Sequence, residues 1–75
     1  MQPYRNRKGR AGISFYQSSE KSITLRFIDG STYLYTHRKP GRSHVEAMKR
    51  LALEGKGLTT YVNQHVRDHY ARRLA

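Results

Sequence analysis

The feature that most constrains the fold is a strand, a tight turn and a second strand in the middle of the chain. Over residues 22–27 apolar side chains alternate with polar ones, as they do in a strand with one buried face. Asp29 and Gly30 follow at once and supply the left-handed backbone that a tight hairpin needs. Residues 32–36 then alternate again. The sequence therefore predicts an antiparallel β-hairpin.

Two registers of this hairpin fit the sequence, and they place the tyrosines on opposite faces. A two-residue turn sets Leu34 beside Leu25 and leaves Tyr33 and Tyr35 on the polar face, where they could stack on bases. A three-residue loop closed by a glycine bulge at Gly30 pairs residue 27 with residue 31 instead. We favour this second register, because the first leaves two large side chains in water at about 1.5–3 kcal/mol each. The second gathers on one face Ile23, Leu25, Phe27, Tyr33 and Tyr35.

The segments on either side of the hairpin predict one more strand and a helix. Ile13, Phe15 and Tyr16 predict a short first strand, followed by a polar turn over residues 17–21. Ser43 and Glu46 match a capping box, so we expect a first helix to begin there and to end at the glycines 55 and 57. Its buried face has helical spacing and consists of Val45, Met48, Leu51 and Ala52.

A second helix is predicted from Leu58 or Thr59 to the arginines near the C terminus. Its apolar stripe consists of Leu58, Val62, Val66 and His69. The predicted fold class is therefore α+β, a three-stranded antiparallel meander followed by two helices packed on one face of the sheet (β-β-β-α-α).

Two short patterns in the chain are shared with a known family. The first runs Leu25-x-Phe27-x-Asp29-Gly30-Ser31-x-Tyr33-x-Tyr35, and the second runs Tyr61-x-Asn63-x-x-Val66-Arg67-x-x-Tyr70. Both resemble the KTSC domain, a short module found at the C terminus of some lysyl-tRNA synthetases and as small stand-alone bacterial proteins. The resemblance covers residues 13–74 and implies RNA binding without known catalytic residues. The chain departs from the family pattern in its basic start and in the glycine-punctuated link at residues 55–60.

The charge of the chain points to a polyanionic partner. It carries 15 Lys and Arg against five Asp and Glu, a formal net charge of +10. A domain of 75 residues has only a small core, so repulsion among so many cations is a cost unless a phosphate-rich surface relieves it. Nucleic acid is the partner that this excess favours.

The cations are distributed over several segments. Residues 1–10 hold four of them with almost nothing to bury, which predicts a flexible basic arm before a single KTSC-like α+β domain over residues 11–75. If the hairpin tyrosines are buried, recognition rests on phosphates and shape, and if they are exposed, single strands can also stack on them. The predicted nucleic-acid-binding residues are Arg5, Arg7, Lys8, Arg10, Arg26, Arg38, Lys39, Arg42, Lys49, Arg50, Arg67, Arg72 and Arg73.

The composition argues against export and membrane insertion. The absence of cysteine removes disulfides and thiolate sites and fits a reducing compartment, so we expect a cytoplasmic protein. No stretch approaches the roughly 20 apolar residues that span a bilayer, and the basic start is not followed by the apolar segment of a secretory signal.

Catalysis and metal binding are not expected. The sequence has no cysteine nucleophile, no glycine-rich phosphate loop and no Ser-His-acid arrangement that spacing would favour. His65 and His69 are four residues apart on the predicted second helix, but no third ligand is visible, so we interpret them as packing residues. No catalytic residue, metal or cofactor is predicted.

The sequence thus predicts a small non-enzymatic nucleic-acid-binding module that binds mainly through phosphate contacts, with RNA favoured over DNA on the resemblance alone. The alternative is a protein–protein interaction adaptor, or a homodimerising module, with a basic surface that meets an acidic protein. Met48 and Leu53 on the first helix would then be contacts.

Overall fold

A computed structural model describes residues 1–5 and 12–75, and it shows an α+β fold with a five-stranded antiparallel sheet. The strands follow one another in the sheet in chain order. The elements are β1 (Gln2–Pro3), β2 (Ile13–Ser19), β3 (Ser22–Phe27), β4 (Thr32–Thr36), α1 (Arg42–Glu54), α2 (Leu58–Tyr61), which continues as a π-helical segment (Val62–Val66), and β5 (Arg72–Arg73). The meander and the two helices are as predicted, whereas β1 and β5 are additional.

The central hairpin adopts the favoured register. Ile23 lies opposite Tyr35 and Leu25 opposite Tyr33, and the backbone N–H of Phe27 donates to the carbonyl of Ser31 at 2.8 Å. Gly30 has a φ of 92°, a conformation that residues with a Cβ rarely adopt. This register directs the large apolar side chains of both strands to the same face of the sheet.

The first long strand, β2, contains an irregularity that the sequence pattern did not predict. A β-bulge between Ile13 and Phe15 shifts the register, so that Tyr16 rather than Phe15 pairs with Leu25 on the buried face. Ile13 and Tyr16 are buried, and Phe15 is 37% exposed. The strand also extends through the polar residues up to Ser19, which shortens the predicted turn to the two residues that follow it.

The first five residues differ from the expected basic arm. Gln2 and Pro3 pair with β2, and the side chain of Tyr4 is buried in the core. The hydroxyl of Tyr4 accepts a hydrogen bond from the backbone N–H of Leu58, which ties this segment to the start of α2. The three other cations assigned to the arm, Arg7, Lys8 and Arg10, lie outside the described residues.

Helix α1 begins one residue before the predicted capping box, and the box itself does not form. Gly41 occupies the N-cap position, where no side chain caps the helix. Glu46 bonds instead to His37 and Lys49, which both contact its Oε2 atom, at 2.8 and 3.0 Å. The helix ends as predicted at Gly55, whose φ is 78° and whose N–H donates to a carbonyl of the last turn.

The second helix is shorter than predicted. The helical backbone ends at Val66, and residues 72–73 form β5 against β4. Without a partner strand, the outer edge of β4 would have free N–H and C=O groups. The terminal segment pairs with this edge, and the Ala71 N–H donates to the Leu34 carbonyl at 2.7 Å. Edge pairing of the terminal segment therefore replaces the predicted last turns of the helix.

Both helices cover the same face of the sheet. Val45, Met48 and Ala52 of α1 are buried against the apolar side chains of the strands. Leu58, Val62 and Val66 keep their predicted place in the core. Among the described residues, no helix is long and apolar enough to cross a membrane.

Candidate nucleic-acid interface

The outer face of the sheet, by which we mean the face turned away from the helices, places an aromatic ring beside an arginine. Phe15 of β2 and Arg26 of β3 are cross-strand partners. Leu25, the neighbour of Arg26, is fully buried under the helices, and successive side chains of a strand point to opposite faces. Phe15 and Arg26 therefore lie together on the outer face, and both are exposed.

Arg72 of the edge strand β5 lies on the same face, with β4 between it and the strand of Arg26. Its partner Leu34 lies between Tyr33 and Tyr35, which belong to the buried side of the sheet, so Leu34 and Arg72 point outward. None of the five carboxylates of the sequence is in a strand. Among the described residues, neither Arg26 nor Arg72 forms an ion pair within 4.0 Å. The outer face is therefore cationic and lacks internal neutralisation.

Phe15 is the residue of this face that the sequence reasoning missed. The sequence pattern placed Phe15 in the first strand without assigning its face, and the bulge between Ile13 and Phe15 turns the phenylalanine outward. Tyr16 directly after Phe15 is the signal that could have revealed it, because two adjacent aromatic residues cannot both lie on one face of a regular strand.

The connector before α1 presents three of the predicted cations at one end of the sheet. The backbone N–H of Lys39 donates to the carbonyl of Thr36, and the Thr36 N–H donates to the Lys39 carbonyl, so the loop is closed tightly. Arg38, Lys39 and Arg42 are exposed, without an ion pair in the described part of the chain. Arg5, also exposed, follows directly after the buried Tyr4.

The two predicted cations of α1 are already engaged by the protein. The Lys49 ammonium donates to the Glu20 carbonyl at 2.8 Å and lies 3.0 Å from the Glu46 carboxylate. Arg50 lies 3.8 Å from Glu54 one turn further along. Hydrogen bonds, first from His37 and then from Lys49, hold the pKa of Glu46 below its usual range. Lys49 therefore serves to fix the helix to the β2–β3 turn.

The three arginines expected at the end of a helix are separated by the fold. Arg72 lies on the outer face, whereas Arg73 turns to the helix side, where its guanidinium carbon is 5.6 Å from the centre of the Tyr33 ring. Arg73 also donates to the Ala75 backbone oxygen at 2.9 Å. Arg67 is exposed in the turn after the π-helical segment.

Arg67 borders a cleft of about 350 Å³ on the helix side, between the hairpin tip and the chain that follows the π-helical segment. Its aromatic wall is formed by Phe27, Tyr33 and Tyr70, with the Tyr33 and Tyr70 ring centres 4.6 Å apart. The other lining residues are Gly12, Asp29, Ser31, Tyr35, Thr59, Val62, Asn63, Arg67 and Asp68.

The two hairpin tyrosines have different environments. Tyr35 is buried, and its hydroxyl donates a long hydrogen bond of 3.5 Å to the Arg67 carbonyl. Burial raises the pKa of Tyr35 to about 12, with smaller contributions from Tyr33, Asp68 and Tyr70. Tyr33 is half-buried in the aromatic wall of the cleft. Tyr35 is therefore a core residue, and neither tyrosine lies on the outer face.

His65 and His69 do not share a helix, and His69 is exposed rather than part of the predicted apolar stripe. The helix ends before His69, so the helical alignment with His65 does not arise. His65 instead packs against Tyr61, whose hydroxyl is 2.7 Å from Nδ1 of His44. Within residues 1–5 and 12–75, no group of three or more His, Cys, Asp or Glu side chains is placed to hold a metal ion.

Comparison with protein-family models, with curated proteins and with solved structures finds no match for this chain. The resemblance to the KTSC domain therefore stays a prediction from the two sequence patterns, and the interface is argued from geometry and charge.

Proposed function

We propose that this protein is a small non-enzymatic nucleic-acid-binding module that acts in the cytoplasm and binds mainly through phosphate contacts. The observation that carries the proposal is the outer face of the sheet, where Arg26 and Arg72 lie on either side of β4 without an ion-pair partner among the described residues. Unpaired guanidinium groups on one open face suit a phosphate backbone, because each contact releases condensed counterions.

The aromatic ring beside these arginines favours a single strand over a duplex. Phe15 is exposed next to Arg26, so a base can stack on the ring while its phosphate contacts the guanidinium. Paired bases offer no free face for such stacking. RNA is proposed over DNA on the resemblance to the KTSC domain alone.

Further cations of the chain extend this footprint in the proposal. Arg38, Lys39 and Arg42 would orient the strand at one end of the sheet, and Arg67 would contact it on the helix side. The cations in residues 1–10, Arg5, Arg7, Lys8 and Arg10, would add contacts without base preference.

The proposal is tested by measuring binding of a ten-nucleotide single-stranded RNA by fluorescence anisotropy over a range of salt concentrations. Log affinity should fall linearly with log salt, with a slope of about 0.7 for each phosphate contacted. Replacing both Arg26 and Arg72 with Gln should lower affinity by about tenfold or more. It should also reduce the slope by the amount that corresponds to roughly one to two phosphate contacts.

The matched control removes the same two charges elsewhere. Arg50→Gln with Lys56→Gln gives the same net charge, and these exposed residues lie on α1 and just after it rather than on a strand. The control variant should bind more tightly than the outer-face variant. Equal losses in the two variants would reject the outer face as the site, and no binding of the unaltered protein at low salt would reject nucleic-acid binding.

Exposed apolar side chains favour self-association as a second candidate function. Leu53 and Ile28 are each 74% exposed, and Phe15 is also accessible. Met48, the other contact expected on α1, is fully buried and cannot take part. Sedimentation equilibrium at micromolar concentration tests this candidate, since a dimer that Leu53→Lys dissociates would support it and a monomer would reject it.

A further inference from the structure

The cleft on the helix side has a charge that differs from the rest of the surface. Two of the five carboxylates of the chain, Asp29 and Asp68, line it together with Arg67, the single cation among its described lining residues. Asp29 is ionised, since the hydroxyl and then the N–H of Ser31 hold its pKa below the usual range. With Arg73 beside the Tyr33 ring, the charges near the cleft are balanced among the described residues, so the cleft attracts a phosphate group less than the cationic surface around it.

The wall of the cleft suits a flat, uncharged ring. The Phe27 and Tyr33 rings meet edge to face at 5.8 Å, and Tyr33 and Tyr70 are tilted against each other at 4.6 Å. Tyr70 and Tyr33 are both half-buried, so part of the aromatic surface stays accessible. Aromatic side chains of this kind bind nucleobases by stacking, whichever base is present.

The floor and the rim supply hydrogen-bonding groups with unused capacity. Oγ1 of Thr59 is buried and has no hydrogen-bond partner in the described residues. An orphaned buried hydroxyl is unfavourable unless a ligand or a water molecule satisfies it. The exposed amide of Asn63, on the π-helical segment, lines the same cleft and offers a donor and an acceptor together. Such segments often occur at functional sites.

The size of the cleft limits the ligand. About 350 Å³ is near the lower end of the range in which proteins bind small molecules, roughly 300–1,000 Å³. This space accommodates one planar heterocycle and excludes a longer segment of a strand.

From these observations we propose that the cleft binds a single unpaired nucleobase, with Asn63 and Thr59 contacting its polar edge and Tyr70 its face. The inference rests on the proposed function, because the base belongs to the strand whose phosphates contact the arginines outside the cleft. It adds a pocket for one base to a module that otherwise contacts phosphates and stacks a base on the exposed ring of Phe15.

The test compares RNA decamers of adenosine, cytidine or uridine with an abasic decamer that has the same number of phosphates. At least one base-containing decamer should bind about tenfold more tightly than the abasic one. Asn63→Ala should reduce this difference, and Thr59→Val, which removes the buried hydroxyl at nearly constant volume, should reduce it too, while the part that depends on Phe15 stacking should remain in both variants. Gln64→Ala, an exposed neighbour that does not line the cleft, should preserve the difference.

Each alternative result has a defined meaning. Equal binding of the base-containing and abasic decamers would overturn the cleft proposal and leave phosphate binding intact. A difference that Phe15→Leu abolishes and Asn63→Ala preserves would also overturn it, since the base would then bind on the outer face. Failure of every decamer to bind at low salt would overturn the cleft proposal together with the proposed function.

Discussion

The hydroxyl oxygen of Tyr4 accepts a 3.0 Å hydrogen bond from the backbone N–H of Leu58, a residue 54 positions further along the chain. The first N–H groups of a helix have no partner within the helix, so the tyrosine acts as a cap supplied by a distant segment. Because Tyr4 follows β1 directly, this bond fastens the edge of the sheet to the start of α2.

Tyr4→Phe should lower the free energy of unfolding by about 1 kcal/mol or slightly more, because it leaves the Leu58 N–H buried without a partner. Urea denaturation followed by circular dichroism measures this change. Tyr16→Phe is the matched control, since Tyr16 is buried to the same degree and its hydroxyl forms no such bond among the described residues. Equal effects of the two substitutions would mean that the bond contributes nothing.

Phe15→Leu should weaken binding of single-stranded RNA by about fivefold or more and leave duplex binding nearly unchanged, because leucine retains the apolar contact but removes the stacking surface. Anisotropy titrations with both RNAs measure the effect. Since Phe15 is already 37% exposed, the free energy of unfolding should change by less than about 1 kcal/mol. Parallel losses on single strand and duplex would contradict stacking at this position.

The ion pairs of Glu46 should make stability sensitive to acid. The pKa of Glu46 is lowered in the folded protein. Its contribution to the free energy of unfolding is therefore complete above the pKa that Glu46 has in the unfolded chain, and it is lost as pH falls through the lowered value. The difference in unfolding free energy between the unaltered protein and Glu46→Gln should therefore shrink from pH 6 towards pH 3. Glu54→Gln on the same helix is the control, and identical pH curves for both variants would exclude the effect.

Tyr35 should make the fold sensitive to alkali. Its pKa is raised to about 12 in the folded protein from an ordinary value of 10.0. Its contribution to the free energy of unfolding is therefore complete below pH 10 and is lost as pH rises towards 12. Tyr35→Phe should abolish this part of the alkaline destabilisation, and near neutrality it should cost little, because the hydrogen bond it removes is 3.5 Å long. Absorbance of ionised tyrosine and circular dichroism, followed together from pH 9 to 12, test the prediction. Loss of structure with the same pH dependence in the variant would contradict it.

Substitution of two glycines by alanine should affect stability to different extents, although each substitution adds one methyl group. Gly30→Ala should destabilise the hairpin by about 1–2 kcal/mol through backbone strain alone, because φ is +92° and no heavy atom lies within 4 Å of the new Cβ. Gly12→Ala should change stability less, since its Cβ would make ordinary contacts of 3.5 Å with Phe27 and Thr59. Thermal unfolding of both variants measures the difference, and a larger effect at Gly12 would be the opposite result.

The parts of the fold that the sequence predicted are those with a strong repeating pattern. The two hairpin tyrosines decided the register, because one register left Tyr33 and Tyr35 in water, and the structure buries Tyr35 and packs Tyr33 against the core. The strands β1 and β5 have two residues each, too few to show any alternation. They form because β2 and β4 would otherwise have open edges, which is a property of the assembled sheet rather than of a local segment.

The sequence predicted which residue types the candidate site contains, but not where the fold places them. The cations were evident from the sequence, yet Arg72 and Arg73 lie on opposite faces because the segment is a strand rather than a helix. Phe15 reached the outer face through a bulge with no local signal of its own other than the neighbouring tyrosine. Lys49 is not available to the site because its ammonium group bonds to Glu46 one turn earlier on α1 and to the Glu20 carbonyl, and the second of these partners is distant in sequence.

The two short strands at the margins of the sheet also bear on how the protein behaves when crowded. Pro3 has no N–H to offer to an incoming chain, and the paired arginines of β5 would meet identical charges on a second copy. Pairing of a further copy with either edge of the sheet is therefore disfavoured, and so is fibril growth. Shortening the chain by a few residues at either side would uncover the edge of β2 or β4 and favour aggregation through that edge.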